Sequence, residues 1–193
     1  MSSLSLEPIR SKIQPSNYDL ACKNWQVIVD VFNAHGISDD CNLAAVCATV
    51  AVETGYTFKP EEERGDPTYF LKNYYFNRRV RIALGNRSTA DAVKYHGRGF
   101  IQITGFNNYN KASEALGINL VANPELACDV ETAAKIMHWY WTSHKLDVLA
   151  NQASIVRDEA HKVLVFQEIR RLVNGGLNGI TVYLDVLKSY EVV

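Results

Sequence analysis

Glu53 and the run Glu61-Glu62-Glu63, eight to ten residues further on, are the residues whose type and spacing best suit chemistry. Cleavage of a bond between two sugars needs two carboxyl groups in different states. One donates a proton to the leaving oxygen; the other activates water or attacks. Glu53 fits the donor, because it closes the stretch 39–53, DDCNLAAVCATVAVE, and is the one carboxyl in its apolar part. Apolar surroundings and the partial negative charge of a helix C-terminus both disfavour an ionised carboxylate. A carboxyl that keeps its proton near neutral pH is what a general acid requires. The competing reading is a buried Glu paired with an arginine for structure, with Arg98 as the candidate partner. The second carboxylate can be any of Glu61, Glu62 and Glu63, since a loop after Lys59-Pro60 can fold back over the helix end. The competing reading for that run is a solvated acidic face.

A second group of polar side chains follows in 95–105, YHGRGFIQITG, where Phe100, Gln102 and Thr104 alternate with Ile101 and Ile103. That period predicts a strand. Gln102 and Thr104 then share a side, and Asn108 and Tyr109 come directly after. Amide, hydroxyl and phenol groups of this kind hold a polar, uncharged ligand and position a water; hairpin and cap chemistry is the competing reading. Gly97-Arg98-Gly99 permits close backbone approach but forms no phosphate-binding fingerprint. The aromatic residues from Tyr69 to Phe76 suit either a sugar face or a core. Trp139 and Trp141 suit a core.

The elements that must position these groups are mostly helical. Stretch 39–53 is apolar on every side, so it predicts a central helix buried on every side, opened by an aspartate cap. Further helices are expected at 24–34, from 67 to 77 behind Asp66-Pro67, from a cap at Asn107 or Asn108 to Leu116, at 130–141 behind Asp129, at 157–173 and at 180–190. Residues 1–23 read as a polar lead-in, and 80–93, with Gly85, Asn86, Ser88 and Thr89, as the least ordered segment. At 193 residues with 47% hydrophobic and 21% charged, the chain suits one domain with a real core. The expectation is a single catalytic domain over 1–193, without a separate wall-binding module. A formal net charge of −1 argues against a general nucleic-acid binder, although Arg78, Arg79, Arg81 and Arg87 form a local basic cluster. No metal-ligand spacing is present among the five histidines and four cysteines, so no metal or cofactor is expected, and the thiols are expected to be free. No long apolar run begins the chain, which predicts synthesis in the cytoplasm without a signal peptide and no stable membrane insertion. Nothing demands more than a monomer.

The stretches AVETGYTFKPEEE, YHGRGFIQITGFNNYNKASEALGI, NPELA and RRLVNGGLNG together resemble glycoside hydrolase family 19, and more closely the bacteriophage endolysins of that family. The resemblance implies a mainly α, lysozyme-like fold of two lobes, with a small β patch beside a substrate cleft. It implies inverting, metal-free hydrolysis of β-1,4 bonds between N-acetylated sugars. Glu53 matches the general acid, and the base falls in the acidic run, with Glu63 the best register and Glu62 the runner-up. Thr104 matches the residue that holds the attacking water. Gln102, Asn108, Tyr109 and Asn174 match ligand-contacting positions, and Arg98 and Tyr69 join them as candidates. Two departures stand out. Val52 replaces a histidine common before the catalytic Glu, and Gly179, Ile180 and Thr181 stand where an arginine often follows the N-G-G turn.

The expected activity is therefore lysis of bacterial cell-wall peptidoglycan, with the host wall during phage lysis as the place of action. Chitin hydrolysis, a non-catalytic saccharide-binding module and a lytic transglycosylase are the alternatives.

Overall fold

The structure, a computed structural model, describes residues 4–193. The chain divides into two compact units, one containing the residues up to Lys59 together with Tyr140–Val193, the other Pro60–Trp139.

The first unit is helical and is built around α2 (Asp40–Glu53). Asp39 caps α2 by accepting the N–H of Asn42, and every residue from Asn42 to Ala51 is buried. With no polar face to offer water, this helix needs neighbours on all sides. They are α8 (Leu146–Ile155), α9 (Glu159–Asn174) and α10 (Ile180–Ser189). The polar groups at its start are satisfied inside the unit: Trp141 donates its indole N–H to Asn42 Oδ1 at 2.9 Å, and Asn42 donates to Asn151 at 3.0 Å. Preceding α2, α1 covers Tyr18–Ala34 and so begins earlier than the apolar spacing of 24–34 predicts. The lead-in is not simply polar either. Leu6, Ile9 and Ile13 are buried around a 3-10 turn at Glu7–Lys12, and Trp25 donates to the carbonyl of Leu4. Three apolar residues at intervals of three and four give that segment a side to bury.

The second unit carries α3 (Pro67–Leu71), a π turn at Lys72–Phe76, α4 (Arg78–Leu84), α5 (Thr89–Lys94) and α6 (Phe106–Leu116). α7 (Val130–Ser143) also starts here. Its core gathers Tyr95, Ile103, Tyr109, Leu120, Ala127 and Ile136. The segment 80–93 is ordered, contrary to its composition. Asn77 caps α4 by accepting from Arg79 and Val80, Gly85 ends it with φ +69°, and Ser88 caps α5 by accepting from Asp91. Gly85 and Ser88, which resemble loop composition, are caps, while Asn86 donates to the carbonyl of Tyr74 and accepts the N–H of Phe106.

The predicted strand at 95–105 shrinks to two residues. β2 (Arg98–Gly99) pairs antiparallel with β1 (Glu61–Glu62), with Glu61 opposite Gly99 and Glu62 opposite Arg98. The chain then turns back, and Ile103 bridges to Arg98. Positive φ at Gly99 (+88°), Gln102 (+53°) and Gly105 (+87°) makes a tight turn where an extended strand was expected. Gly105, and neither Asn107 nor Asn108, stands at the start of α6.

Candidate active site

Glu53 occupies the last turn of α2, in the first unit. Its side chain is 17% exposed, and its partner is the guanidinium of Arg170, whose Nη1 donates to Glu53 Oε1 at 2.5 Å. The expected purely apolar setting is therefore corrected, and so is the partner. Arg170 rises from α9, is 1% exposed, and also donates its Nε to the carbonyl of Asn178 at 2.8 Å. Gly179 lies against both residues next to the acid. A Cβ there would meet Val52 Cγ1 at 2.5 Å and Arg170 Nη2 at 3.6 Å. The cation missing after the N-G-G turn is thus supplied one helical turn before it. Asn174 ends α9 four residues after Arg170, and its Oδ1 is buried with no hydrogen-bond partner among the described residues. Such an atom is costly to leave unmatched unless something else fills the position.

In the second unit the acidic run is sorted by the ribbon. Glu62 is taken up by Arg98 and His96: Arg98 Nη2 lies 2.7 Å from its Oε1 and His96 Nε2 lies 2.8 Å from it. Burial alone would raise the Glu62 carboxyl, but the hydrogen bonds and charges of His96 and Arg98 outweigh it and hold that carboxyl below its ordinary value. Arg98, 6% exposed, also donates to the hydroxyl of Tyr109 at 3.1 Å, and that hydroxyl donates to the carbonyl of His96 at 3.0 Å. Tyr109 is fully buried, and burial pushes its phenol up to about 12. Arg98 and Tyr109, expected at ligand contacts, are instead internal supports of the ribbon.

Glu63 is treated differently. Its N–H donates to the carbonyl of Gly97 at 2.8 Å, and the N–H of Gly97 donates back to its Oε2 at 3.0 Å. Tyr74 donates its hydroxyl to Oε1 at 2.7 Å, and burial together with that bond raises the Tyr74 phenol. Both oxygens of Glu63 thus accept bonds from neutral donors. The charge of Glu63 also raises the phenol of Tyr69, which is 45% exposed. Gly97 is the pivot. A Cβ on it would lie 2.7 Å from Gln102 Oε1, 3.2 Å from Glu63 Oε2 and 3.3 Å from Thr104 Oγ1. Three predicted site residues therefore converge on one bare stretch of backbone. Gln102 is held by donating to the carbonyls of Glu61 and Gly99, and Thr104 by donating to the carbonyl of Gln102 at 2.8 Å. Asn108 donates to the carbonyl of Thr104 at 2.8 Å. Beside them, a groove of about 440 Å³ is lined by Glu62, Glu63, Arg64, Gly65, Phe70 and His96.

The family model for chitinase class I, glycoside hydrolase family 19, matches residues 19–180 of the sequence. The chain belongs to glycoside hydrolase family 19. Among curated members, the acidic endochitinase Q of Nicotiana tabacum is 34% identical over 100 residues, 47% of this chain and 40% of that protein. A glycosyl hydrolase family 19 domain-containing protein of Haemophilus influenzae is 32% identical over 115 residues, 59% of this chain and 48% of its own length. The matched part thus spans less than half of either relative. The fold is that of chitinase C from Streptomyces griseus, with a TM-score of 0.57 at 24% identity, covering 94% of this chain and 72% of that one.

Within the family 19 chain, Arg170 and Tyr74 are the contacts that the sequence reading missed. Arg170 carried a signal. It follows Phe166 by four residues, which puts it on the buried side of α9 with Ile169, whereas Arg171 is exposed and pairs with Glu168. Tyr74 carried none beyond its place in an aromatic cluster.

Proposed function

We propose that this chain is an inverting glycoside hydrolase that cuts β-1,4 bonds between N-acetylated sugars in bacterial peptidoglycan. Glu53 is the general acid and Glu63 the general base. The observation that carries the reading is the convergence of Glu63, Gln102 and Thr104 on Gly97 in a chain of this family. Thr104 already donates its proton to the Gln102 carbonyl, so its lone pairs accept one hydrogen of a water. Glu63 accepts the other and takes that proton as the water attacks the anomeric carbon. Glu53 Oε1 is engaged by Arg170, which leaves Oε2 to carry the proton given to the leaving oxygen. Glu62, bound to Arg98 and His96, holds the ribbon and is not the base.

Peptidoglycan as substrate rests on the sequence stretches that resemble phage lysins and on four free thiols in place of a disulfide framework. Chitin is the second reading, favoured by the names of the relatives, which include endochitinases of tobacco and potato. The test is digestion of purified peptidoglycan and of a soluble chitin oligomer by wild type, Glu53→Gln, Glu62→Gln and Glu63→Gln, with products identified by mass and reducing ends. Cleavage of the wall that is lost in Glu53→Gln and Glu63→Gln is the expected result. Loss in Glu62→Gln with full activity in Glu63→Gln overturns the assignment of the base, anhydro-sugar ends overturn inversion, and turnover of chitin alone selects the second reading.

A further inference from the structure

Residues 67–90 hold five basic side chains, Lys72, Arg78, Arg79, Arg81 and Arg87, and no acidic one, in a chain whose formal net charge is −1. The structure displays this segment on the surface of the second unit. Lys72, Arg78 and Arg79 are exposed and make no ion pair among the described residues. Arg81 lies over the ring of Tyr75 at 4.9 Å, and the Phe76 ring meets Tyr75 edge-on at 6.0 Å. Only Arg87 is neutralised, by Asp91 at 3.0 Å.

The same surface exposes large apolar side chains. Phe76 is 68% exposed and Ile82 is 62% exposed. Ile82 follows Arg78 by four residues and Arg79 by three on α4, so all three share a face of that helix. Phe76 sits at the end of the π turn directly before it. A basic face rewards any polyanion, but a naked aromatic ring and an isoleucine gain from contact only if the partner has an apolar interior beneath its charges. An anionic bilayer has both.

We propose that Lys72, Phe76, Arg78, Arg79, Arg81 and Ile82 form a peripheral docking face for an anionic lipid surface, with the guanidinium and ammonium groups on phosphate headgroups and Phe76 and Ile82 entering the acyl boundary. The face spans nothing: no described helix is long and apolar enough to cross a membrane. It uses none of the groups assigned to bond cleavage and does not depend on that assignment.

The experiment is co-sedimentation of the full chain with vesicles of phosphatidylcholine alone and with 30% phosphatidylserine. Wild type is expected to bind only the anionic vesicles and to be released by salt. Each neutralised cation is expected to weaken partitioning about fivefold, so Arg78→Gln with Arg79→Gln loses roughly 25-fold. Phe76→Ser with Ile82→Ser is expected to lose roughly tenfold or more, at unchanged charge. Ile82→Trp supplies a measurement that needs no loss of binding: acyl-brominated anionic vesicles quench its added fluorescence. Absence of binding to anionic vesicles overturns the proposal. So does binding that survives both double variants, and so does an Ile82→Trp signal that brominated chains leave untouched. Sensitivity to the arginine pair with none to the apolar pair also overturns it, in favour of a soluble polyanion such as nucleic acid or a phosphate-bearing wall polymer.

Discussion

The end of α2 and the β1–β2 ribbon each hold a carboxylate in place, and they do so by opposite means. Glu53 is fixed by a helix buried on every side and by one buried cation reaching in from α9, 117 residues away in sequence. Glu63 is fixed by backbone bonds to Gly97, 34 residues away, and by the neutral hydroxyl of Tyr74. The first arrangement spends a full charge inside the protein. The second keeps its charged pair one residue off, at Glu62, and surrounds Glu63 with neutral donors. A carboxylate that must take a proton from water works better with dipoles that stay put than with a cation competing for it. A carboxyl whose second oxygen alone does the chemistry can tolerate a cation on the first. The difference therefore predicts where damage will appear as lost stability and where as lost turnover.

The largest effect is expected at the buried cation. Arg170→Ala removes the partner of a mostly buried carboxylate and of the Asn178 carbonyl together. Breaking a buried pair from one side costs about 3–5 kcal/mol. Denaturant titration should show a loss of that size. A loss under about 1 kcal/mol would place this pair with ordinary surface ion pairs and break the contrast.

Next comes Gly97→Ala. A methyl there runs into Gln102, Glu63 and Thr104 at 2.7–3.3 Å, while Gly97 itself is not among the residues with positive φ. Backbone strain is thus not the mechanism; displacement of three side chains is. Misplacing catalytic groups by about 1 Å costs on the order of 100-fold in rate. Glu63 and Thr104 need give by only a few tenths of an ångström, so the expected outcome is a fall in kcat smaller than that, about tenfold, with thermal stability lowered by only a few degrees. An equal loss in both would mean that the ribbon is structural and Glu63 incidental to turnover.

These two sites differ also in how far they could be read from residue types. α2 is visible in its composition, since nine apolar residues between an aspartate cap and a glycine allow little else. The ribbon is not, because alternation over 100–104 imitates a strand. The actual turn depends on positive φ at Gln102, which no side-chain pattern announces. Gln102 and Thr104 nevertheless arrive beside Glu63, because a tight turn gathers neighbouring residues as effectively as a strand aligns alternate ones. Tyr109 and Arg98 are hard to read for a related reason: polar atoms suggest ligand contacts, while in the structure they bond to one another and to the carbonyl of His96 inside the second unit. Arg170 is legible only once its four-residue offset from Phe166 is given the same weight as an apolar residue at that position.

Tyr74→Phe is the finer test of the neutral setting. It removes one donor to Glu63 and leaves that from Gly97 in place. A hydrogen bond to a charged group contributes about 1.5–3 kcal/mol, and the half-exposed position of Glu63 argues for the low end. The expected outcome is roughly a tenfold loss of kcat with KM nearly unchanged, since the bond orients a base without touching bound sugar. A rise in KM at constant kcat would move Tyr74 from the base to the substrate.

The smallest effect concerns pH and separates the two adjacent glutamates. The carboxyl of Glu62 lies below its ordinary value in the folded chain because of His96 and Arg98. A carboxylate depressed on folding adds stability at any pH above its unfolded value, near 4.5, and loses that contribution as pH falls through the folded value. Glu62→Gln should therefore lower stability at neutral pH slightly and flatten the decline below about pH 4.5. The Glu62 side chain is 55% exposed, so solvent screening keeps the effect under about 1 kcal/mol. Glu63→Gln should abolish turnover. An unchanged acid limb in Glu62→Gln, with turnover lost in that variant and kept in Glu63→Gln, would exchange the two roles. It would make the ribbon carry its working charge where its ion pair now stands.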